Sequence, residues 1–583
     1  MKKIILLIVL LAVMILSAQK SQSRPIGLVT NQVGFHPDQY KEVLVSYDKI
    51  LNDKTFAIID TQDKICFSGQ LKDFGFDPDS GDCVAKGDFT MFKENGTFRV
   101  RCGAGLTSYP FTIGETINTP VLKLALRWFY LQRSGPAIDD PVSGIKRPAS
   151  LTAPAPLWGP KGPIPGKKVD ITGGWFDAGD YGRYASPAAT TLMSLFYAWQ
   201  LRPGIFPDGF SRIPESHNGV SDLLDEIRWE LEWLLKVQRQ DGAVHHKATH
   251  TAYSYLMPDQ IQEPVYLFDV STQATAQFTG VMAYAAMAFA KIDRAFAARL
   301  LKAAEKAWAW LEKTPQKYPV GGFKNPLLAD GVEVTGGPYS VFDRDENEHR
   351  LWAAASLFYA TGRESFHQAL KKLWARRDQA AKFYDMNSLD GYAFAVFTSL
   401  DNSKLNAQVR KEMLDTVRNQ SETLLQLISK TGYSVTLTGV KPPFDYTWGS
   451  TEYVNQRGLY LLLTHRHLPD PRYVDGAARQ LNWVLGANPL NRCLINGEVG
   501  STPLKTSHHA MSMLLKKPYP GSIGEGPNGS TPGGDPALTR LLARKPPPPP
   551  AKCFIDDWES YATNEPTIYN NAAFVALAAF FSR

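Results

Sequence analysis

Cysteine is scarce. Cys66, Cys83, Cys102, Cys493 and Cys553 are the only five in 583 residues, and none stands in a Cys-x-x-Cys pair. Such usage excludes a disulfide-built scaffold and a cysteine zinc site. An odd count leaves at least one thiol unpaired in a monomer, and one bridge within the Cys66, Cys83, Cys102 group stays open. A dominant charge is also lacking. The net charge of +6 is small for this length and spread along the chain, which points away from nucleic acid and anionic membranes as partners. No repeat recurs at a fixed period. Long hydrophobic runs are missing beyond the start. Residues 1–23, MKKIILLIVLLAVMILSAQKSQS, read as a signal peptide: Lys2 and Lys3 precede an apolar run too short to favour a membrane span, and Ser17 and Ala18 offer a small-residue cleavage zone. The expectation is an exported protein, secreted or periplasmic, off the membrane after processing and monomeric.

What the chain has in quantity is aromatic residues, including 13 Trp and 24 Tyr, which serve cores and sugar-binding clefts alike. Residues 25–115 carry short β-branched and aromatic runs (KEVLVSY, TFAIIDT, KICFSGQL, GTFRVRC) between turn residues, the rhythm of an antiparallel β-sandwich. It shows no row of exposed aromatics; Phe76 and Phe89 fit a core. From about residue 120 to 583 the period changes. SPAATTLMSLFYAWQL, VSDLLDEIRWELEWLLKVQ, RAFAARLLKAAEKAWAWLEK and about as many segments again repeat apolar residues at three- and four-residue steps, with no strands between. That predicts an all-α domain of stacked helix pairs, as a closed ring of six hairpins or an open solenoid. The proline run in ARKPPPPPAKC reads as a stiff surface spacer.

Two stretches carry chemistry. In GGWFDAGDYGRYAS, residues 173–186, Asp177 and Asp180 crowd together in a glycine-containing loop. Like charges so close repel unless a metal, a water or a substrate is held between them, and two carboxylates facing one water can take its proton. Trp175 and Tyr181 flank them as candidate walls for a sugar ring. In FIDDWESYATNEPTIYNNAAF, residues 554–574, Asp556 and Glu565 lie among aromatics. A carboxyl in apolar surroundings keeps its proton longer and can serve as an acid. A helix cap or calcium loop for the aspartates, and an exposed loop position for Glu565, are the alternatives.

These segments resemble glycoside hydrolase family 9, mostly endo-β-1,4-glucanases. Phe554, Asp556, Tyr561, Glu565, Thr567, Asn571 and Ala572 meet its C-terminal signature, and Asp177 to Asp180 its DAGD. IPESHNGVSDLLDEIRWELEWLLKVQ, VSTQATAQFTGVMAYAA and LNWVLGANPL extend the likeness over residues 120–583, and NQVGFHPDQYKEVLV resembles the Ig-like domain that precedes one branch of the family. The resemblance implies a six-hairpin (α/α)6 barrel, a β-glucan polysaccharide or oligosaccharide as substrate, inversion at the anomeric carbon and no required cofactor. It implies Asp180 as general base, Asp177 as its partner in holding water, Glu565 as general acid and Asp556 as orienting residue. His508 would touch sugar hydroxyls, and His246 with Lys247 would line the cleft. Exo-acting relatives, such as a β-glucosaminidase or a cellobiose-releasing enzyme, and a glucan-binding protein without turnover are the competing readings.

Two departures from the family pattern stand out. Ala510 occupies the place of an arginine that clamps sugar on the leaving-group side, so binding there should weaken by roughly tenfold unless Lys505 or Lys516 compensates. Calcium is the one ion the resemblance leaves open, in the acidic stretch Asp343, Asp345, Glu346 and Glu348; the family's Asp-Glu pair would fall on Glu348 and His349, so carboxylates favouring a helix start are preferred over calcium, and His245, His246 and His250 are not expected to hold zinc.

Overall fold

The structure is a computed structural model that describes residues 25–48, 51–103, 105–159, 161–341, 346–386, 390–439 and 445–582. The expected signal peptide lies outside these. Among the described residues no helix is long and apolar enough to cross a membrane.

Among the described residues the N-terminal body holds nine strands: β1 Pro25–Val29, β2 Gly34–Phe35, β3 Glu42–Tyr47, β4 Thr55–Ile59, β5 Ile65–Asp77, β6 Asp82–Asp88, β7 Gly96–Cys102, β8 Leu106–Thr107 and β9 Phe111–Ile113. Their order is β1-β3-β6-β5-β4-β7-β9-β2, with β8 on β7. β5 pairs with β4 through its first half and with β6 through its second, and its register shifts between Asp73 and Gly75, so one long strand serves both layers. Phe35, Phe56, Phe89, Phe98 and Phe111 fill the space between, mostly edge to face. One pairing departs from the antiparallel expectation: β2 runs parallel to β9. Gly34 permits that approach, since a Cβ there would lie 1.8 Å from the Thr112 carbonyl oxygen. Phe89 is core, but Phe76, paired with Cys83 of β6, is 64% exposed, because strand alternation turns its side chain to the outer face while Asp77 is buried. All five cysteines are unpaired thiols.

The helical body alternates outer and inner helices: α1 Thr119–Gln132, α2 Ala185–Leu201, α3 Asp222–Lys236, α4 Thr272–Phe289, α5 Arg294–Lys313, α6 Asn347–Thr361, α7 Glu364–Ala375, α8 Tyr392–Asp401, α9 Ala407–Lys430, α10 Ser450–His467, α11 Pro471–Val484 and α12 Ile568–Phe580. The even-numbered helices are buried nearly all round, most of them apolar but α10 with Glu452, Asn455, Gln456 and Arg457 inside, whereas odd-numbered helices such as α5 and α11 carry a single apolar stripe. α2, α4, α6, α8, α10 and α12 pack in sequence, and α12 returns to α2. The ring is closed, which excludes the solenoid and gives the (α/α)6 barrel. The chain enters α2, α4 and α12 from loops at one end, so the positive ends of these helix dipoles gather there.

The two bodies share a polar, buried seam. Asp82 accepts from the Tyr433 hydroxyl at 2.8 Å and from Lys552 Nζ at 2.6 Å; Asp79 accepts from Gly439 N–H at 3.0 Å; Lys86 donates to the Thr431 carbonyl at 2.6 Å. The proline run is not a free spacer. Its end joins the seam, where Ala551 N–H donates to the Asp79 carbonyl at 2.9 Å and Pro549 packs on Gly81, because a rigid chain with few donors fits against a loop edge.

Candidate active site

The loop between α1 and α2 is anchored from beneath. Gly173 and Gly174 have φ of +96° and +76°, and a Cβ on Gly174 would meet Trp233 of α3 at 2.6 Å. Trp175 donates its amide N–H to Glu230 at 2.7 Å and its indole N–H to Glu226 at 2.8 Å. Both glutamates sit one turn apart on α3, and Arg133 grips Glu226 at 2.8 and 2.9 Å. Trp175 is 1% exposed and packs on Phe129, so it is an anchor and not the sugar wall expected. Tyr181 is corrected likewise. Its ring lies against Phe176 and its hydroxyl donates to the Leu256 carbonyl at 2.7 Å, since a buried phenol needs a partner for its O–H.

Above this anchor three carboxyls converge. Asp177 accepts from the Tyr339 hydroxyl at 2.8 Å, and its carbonyl accepts from Ile568 N–H at 2.9 Å, tying the loop to the start of α12. Asp180 accepts from Gly182 N–H at 2.7 Å. Glu565 accepts from the N–H of Gly179, between the two aspartates, at 3.1 Å. Burial raises the pKa of all three. Glu565 is pushed well above the usual carboxylate range by burial, then by the charge of Asp180. Asp177 is pushed well up by burial, against the hydrogen bond from Tyr339. Asp180 is raised by burial too, but the Gly182 N–H and the Lys247 ammonium pull it back. Of the three, Asp180 is the one whose ionised form is favoured by a nearby cation, the Lys247 ammonium.

His508 stands beside Glu565. Its amide bonds the Asn564 carbonyl at 3.0 Å, and its Nδ1 pairs with the Trp558 carbonyl at 2.7 Å, leaving Nε2 for a ligand. Asp556 sets this segment: it accepts from Thr506 N–H at 3.0 Å, Thr506 Oγ1 at 2.7 Å and Lys505 N–H at 3.0 Å, and it pairs with Arg492. Its bonds go to the histidine segment, so it is a positioning residue and not a catalytic one. His246 is not a sugar contact. Nδ1 pairs with Ser271 Oγ at 2.7 Å, Nε2 with the Pro338 carbonyl at 2.5 Å, and the ring stacks on Phe323. Lys247 donates to Asn325 at 2.5 Å and to the Thr335 carbonyl at 2.8 Å, with its pKa pushed down to about 7 by burial. Ala510 is 5% exposed and donates its N–H to the Gly179 carbonyl at 2.7 Å, so it joins the aspartate loop through its backbone. Asp343 and Asp345 lie outside the described residues, and among those described no three His, Cys, Asp or Glu side chains group around a metal position.

Sequence reasoning missed several contributors. Tyr339, held at φ +39°, fixes Asp177. Gln132 donates to the Ala178 carbonyl at 2.9 Å and pairs with His509 at 2.8 Å, supporting the DAGD turn from α1. Trp448, which no motif marked, joins the signature residue Tyr561 and His508 in an aromatic row, with ring centroids 5.4 Å apart at each step. Only the Glu226–Glu230 pair left a trace, as acids four apart in an otherwise buried helix face.

The sequence profile of glycosyl hydrolase family 9 matches residues 119–578, and that of the cellulase N-terminal Ig-like domain matches residues 26–106. A cellulose 1,4-β-cellobiosidase of Acetivibrio thermocellus is 29% identical over 94% of this chain, which spans 66% of that protein's length. A xyloglucan-specific endo-β-1,4-glucanase of Bacteroides ovatus is 29% identical over 94% of this chain and 92% of its own. The crystal structure of a metagenome-derived family 9 endoglucanase superposes with a TM-score of 0.85 at 32% identity, covering 96% of this chain and 99% of that one.

Proposed function

This chain belongs to glycosyl hydrolase family 9, and we propose from that premise that it hydrolyses β-1,4-glucosidic bonds of β-glucans with inversion. Glu565, protonated, donates to the leaving glycosidic oxygen. Asp180, ionised, takes a proton from a water that attacks the anomeric carbon from the opposite face, and Asp177, fixed by Tyr339, holds that water. His508 contacts sugar hydroxyls near the leaving group. Inversion requires room for the water between acid and base, about 6.5–9.5 Å. The observation that carries the reading is the Gly179 N–H bond to Glu565, which ties the acid to the loop that bears the base. The named substrates of the relatives, cellulose and xyloglucan, support a β-1,4-glucan. Residues 1–23 support export. The test is hydrolysis of cello-oligosaccharides followed by proton magnetic resonance of the first-formed anomer: α product is expected, and β product means retention and a different assignment of roles.

A further inference from the structure

The turn between β1 and β2 reaches from the sandwich into the barrel. Asn31 shapes it: its side-chain oxygen accepts from Val33 N–H at 2.9 Å and Gly34 N–H at 3.0 Å, and its Nδ2 donates to Asn482 of α11 at 3.0 Å. Gln32 is thereby presented to residues 485–502, where its N–H donates to the Leu485 carbonyl at 2.9 Å. Gln32 is 4% exposed, and both ends of its amide are bonded. Nε2 donates to the Asn491 carbonyl at 2.9 Å and to Asn491 Oδ1 at 3.1 Å. Oε1 accepts from Ser501 N–H at 3.1 Å and Thr502 N–H at 3.0 Å, and lies 2.9 Å from Thr502 Oγ1. Two glycines let the chain close around it. A Cβ on Gly486 would lie 2.7 Å from Gln32 Cγ, and one on Gly500 would lie 3.0 Å from Gln32 Cβ.

Gln32 therefore staples residue 491 to residues 501 and 502. Asp556 staples the same two runs of chain again, pairing with Arg492 on one and accepting from Lys505 N–H, Thr506 N–H and Thr506 Oγ1 on the other. Between the staples, Cys493 N–H donates to the Thr502 carbonyl at 3.1 Å and Leu504 N–H to the Ile495 carbonyl at 3.0 Å. Asn564 joins the far end. Its Nδ2 donates to Thr506 Oγ1 at 2.8 Å, its carbonyl accepts from His508 N–H at 3.0 Å, and the next residue is Glu565. A buried primary amide suits the near end, because it offers donors and acceptors in one plane and each finds a partner. Truncating it leaves two N–H groups and a carbonyl without theirs, so the ladder loosens toward Asp556. The acid at the other end tolerates little displacement, since it must stay within hydrogen-bond reach of the glycosidic oxygen. We infer that Gln32 of the sandwich is a positioning residue for the acid: through residues 491–492 and 502–506 it sets Asp556 and Asn564, and with them Glu565 and His508 on the leaving-group side. The inference rests on the proposed hydrolysis of β-glucans with Glu565 as acid.

The experiment gives the whole chain two substrates: cellotetraose, whose leaving sugar must be protonated, and dinitrophenyl β-cellobioside, whose leaving phenolate needs no proton. Gln32→Ala should lower kcat on cellotetraose roughly tenfold or more, and on the aryl glycoside by less than about threefold. Thr502→Ala loosens the same staple from the barrel side and should shift the ratio in the same direction. The double variant should lose less than the product of the two single losses, because the two residues share one contact. Asp82→Ala, elsewhere in the seam, should unfold more readily yet keep the wild-type ratio between the substrates. Equal losses on both substrates from Gln32→Ala, or no loss, overturn the inference and leave the hydrolase reading standing. If Gln32→Ala does not fold, a wild-type ratio in Thr502→Ala overturns it. No hydrolysis of either substrate by the wild type overturns the hydrolase reading and this inference with it.

Discussion

Gly179 and Glu565, 386 residues apart in sequence, are joined by an N–H···O bond of 3.1 Å. Gly179 also passes so close to the histidine segment that a Cβ on it would lie 2.1 Å from the His508 carbonyl oxygen and 3.0 Å from Glu565 Oε1. The loop with the aspartates, the segment with His508 and the acid therefore form one unit, and the absent side chain at residue 179 is what lets them close.

Gly179→Ala should separate that unit. A misplacement of about 1 Å in a positioned group costs on the order of 10²-fold in rate. The expected result is a fall in kcat of that size on a soluble β-glucan, with a folded protein by circular dichroism. A wild-type kcat would show that the contact has no part in catalysis.

Glu565→Gln and Asp180→Asn separate acid from base. General acid catalysis contributes about 10²–10⁴-fold, so Glu565→Gln should lose that much on ordinary glucans and far less on an aryl glycoside whose leaving group needs no proton. Asp180→Asn should be inactive on both, because water still has to be deprotonated. Equal losses for Glu565→Gln on the two substrates would remove it as the acid.

Stability should peak in mildly acidic solution. Burial pushes Glu230 and Glu452 up to about 8 from 4.5, so the native state holds extra protons between these values and loses stability as pH rises through the folded-state value. Burial pushes His246 and His509 down to about 3 from 6.5, so the native state holds fewer protons there and loses stability as pH falls below 6.5. The unfolding temperature should be highest near roughly pH 5–6, and Glu452→Gln should flatten the alkaline limb. A flat profile into the alkaline range would contradict the burial of these carboxyls as acids.

The β-sandwich should stabilise the barrel. Asp82→Ala leaves the Tyr433 hydroxyl and the Lys552 ammonium without their partner at the seam. Hydrogen bonds to charged groups contribute about 1.5–3 kcal/mol, so a loss in that range is expected by chemical denaturation, with binding to insoluble glucan unchanged. Unchanged stability with weaker binding would make the sandwich a binding module instead.

The sequence by itself determined the two periods, β-sandwich then helices, and the positions of Asp177, Asp180 and Glu565. Side-chain period is a local property, and motif spacing is preserved along the chain. Which aromatics face sugar was not legible, because an indole or phenol serves a core and a cleft equally well until its N–H or O–H is assigned a partner. Trp175 and Tyr181 found theirs in Glu226, Glu230 and Leu256, whereas Trp448, with no sequence cue, and the signature residue Tyr561 form a row with His508. His246 shows the same limit: only the fold brings Ser271 and Pro338 to its two nitrogens. Only tertiary structure decided that the ring closes through α12 and α2, since stacked helix pairs carry one pattern whether their ends meet or not, and only it brought Tyr339 onto Asp177, because loop placement depends on contacts between segments far apart in the chain.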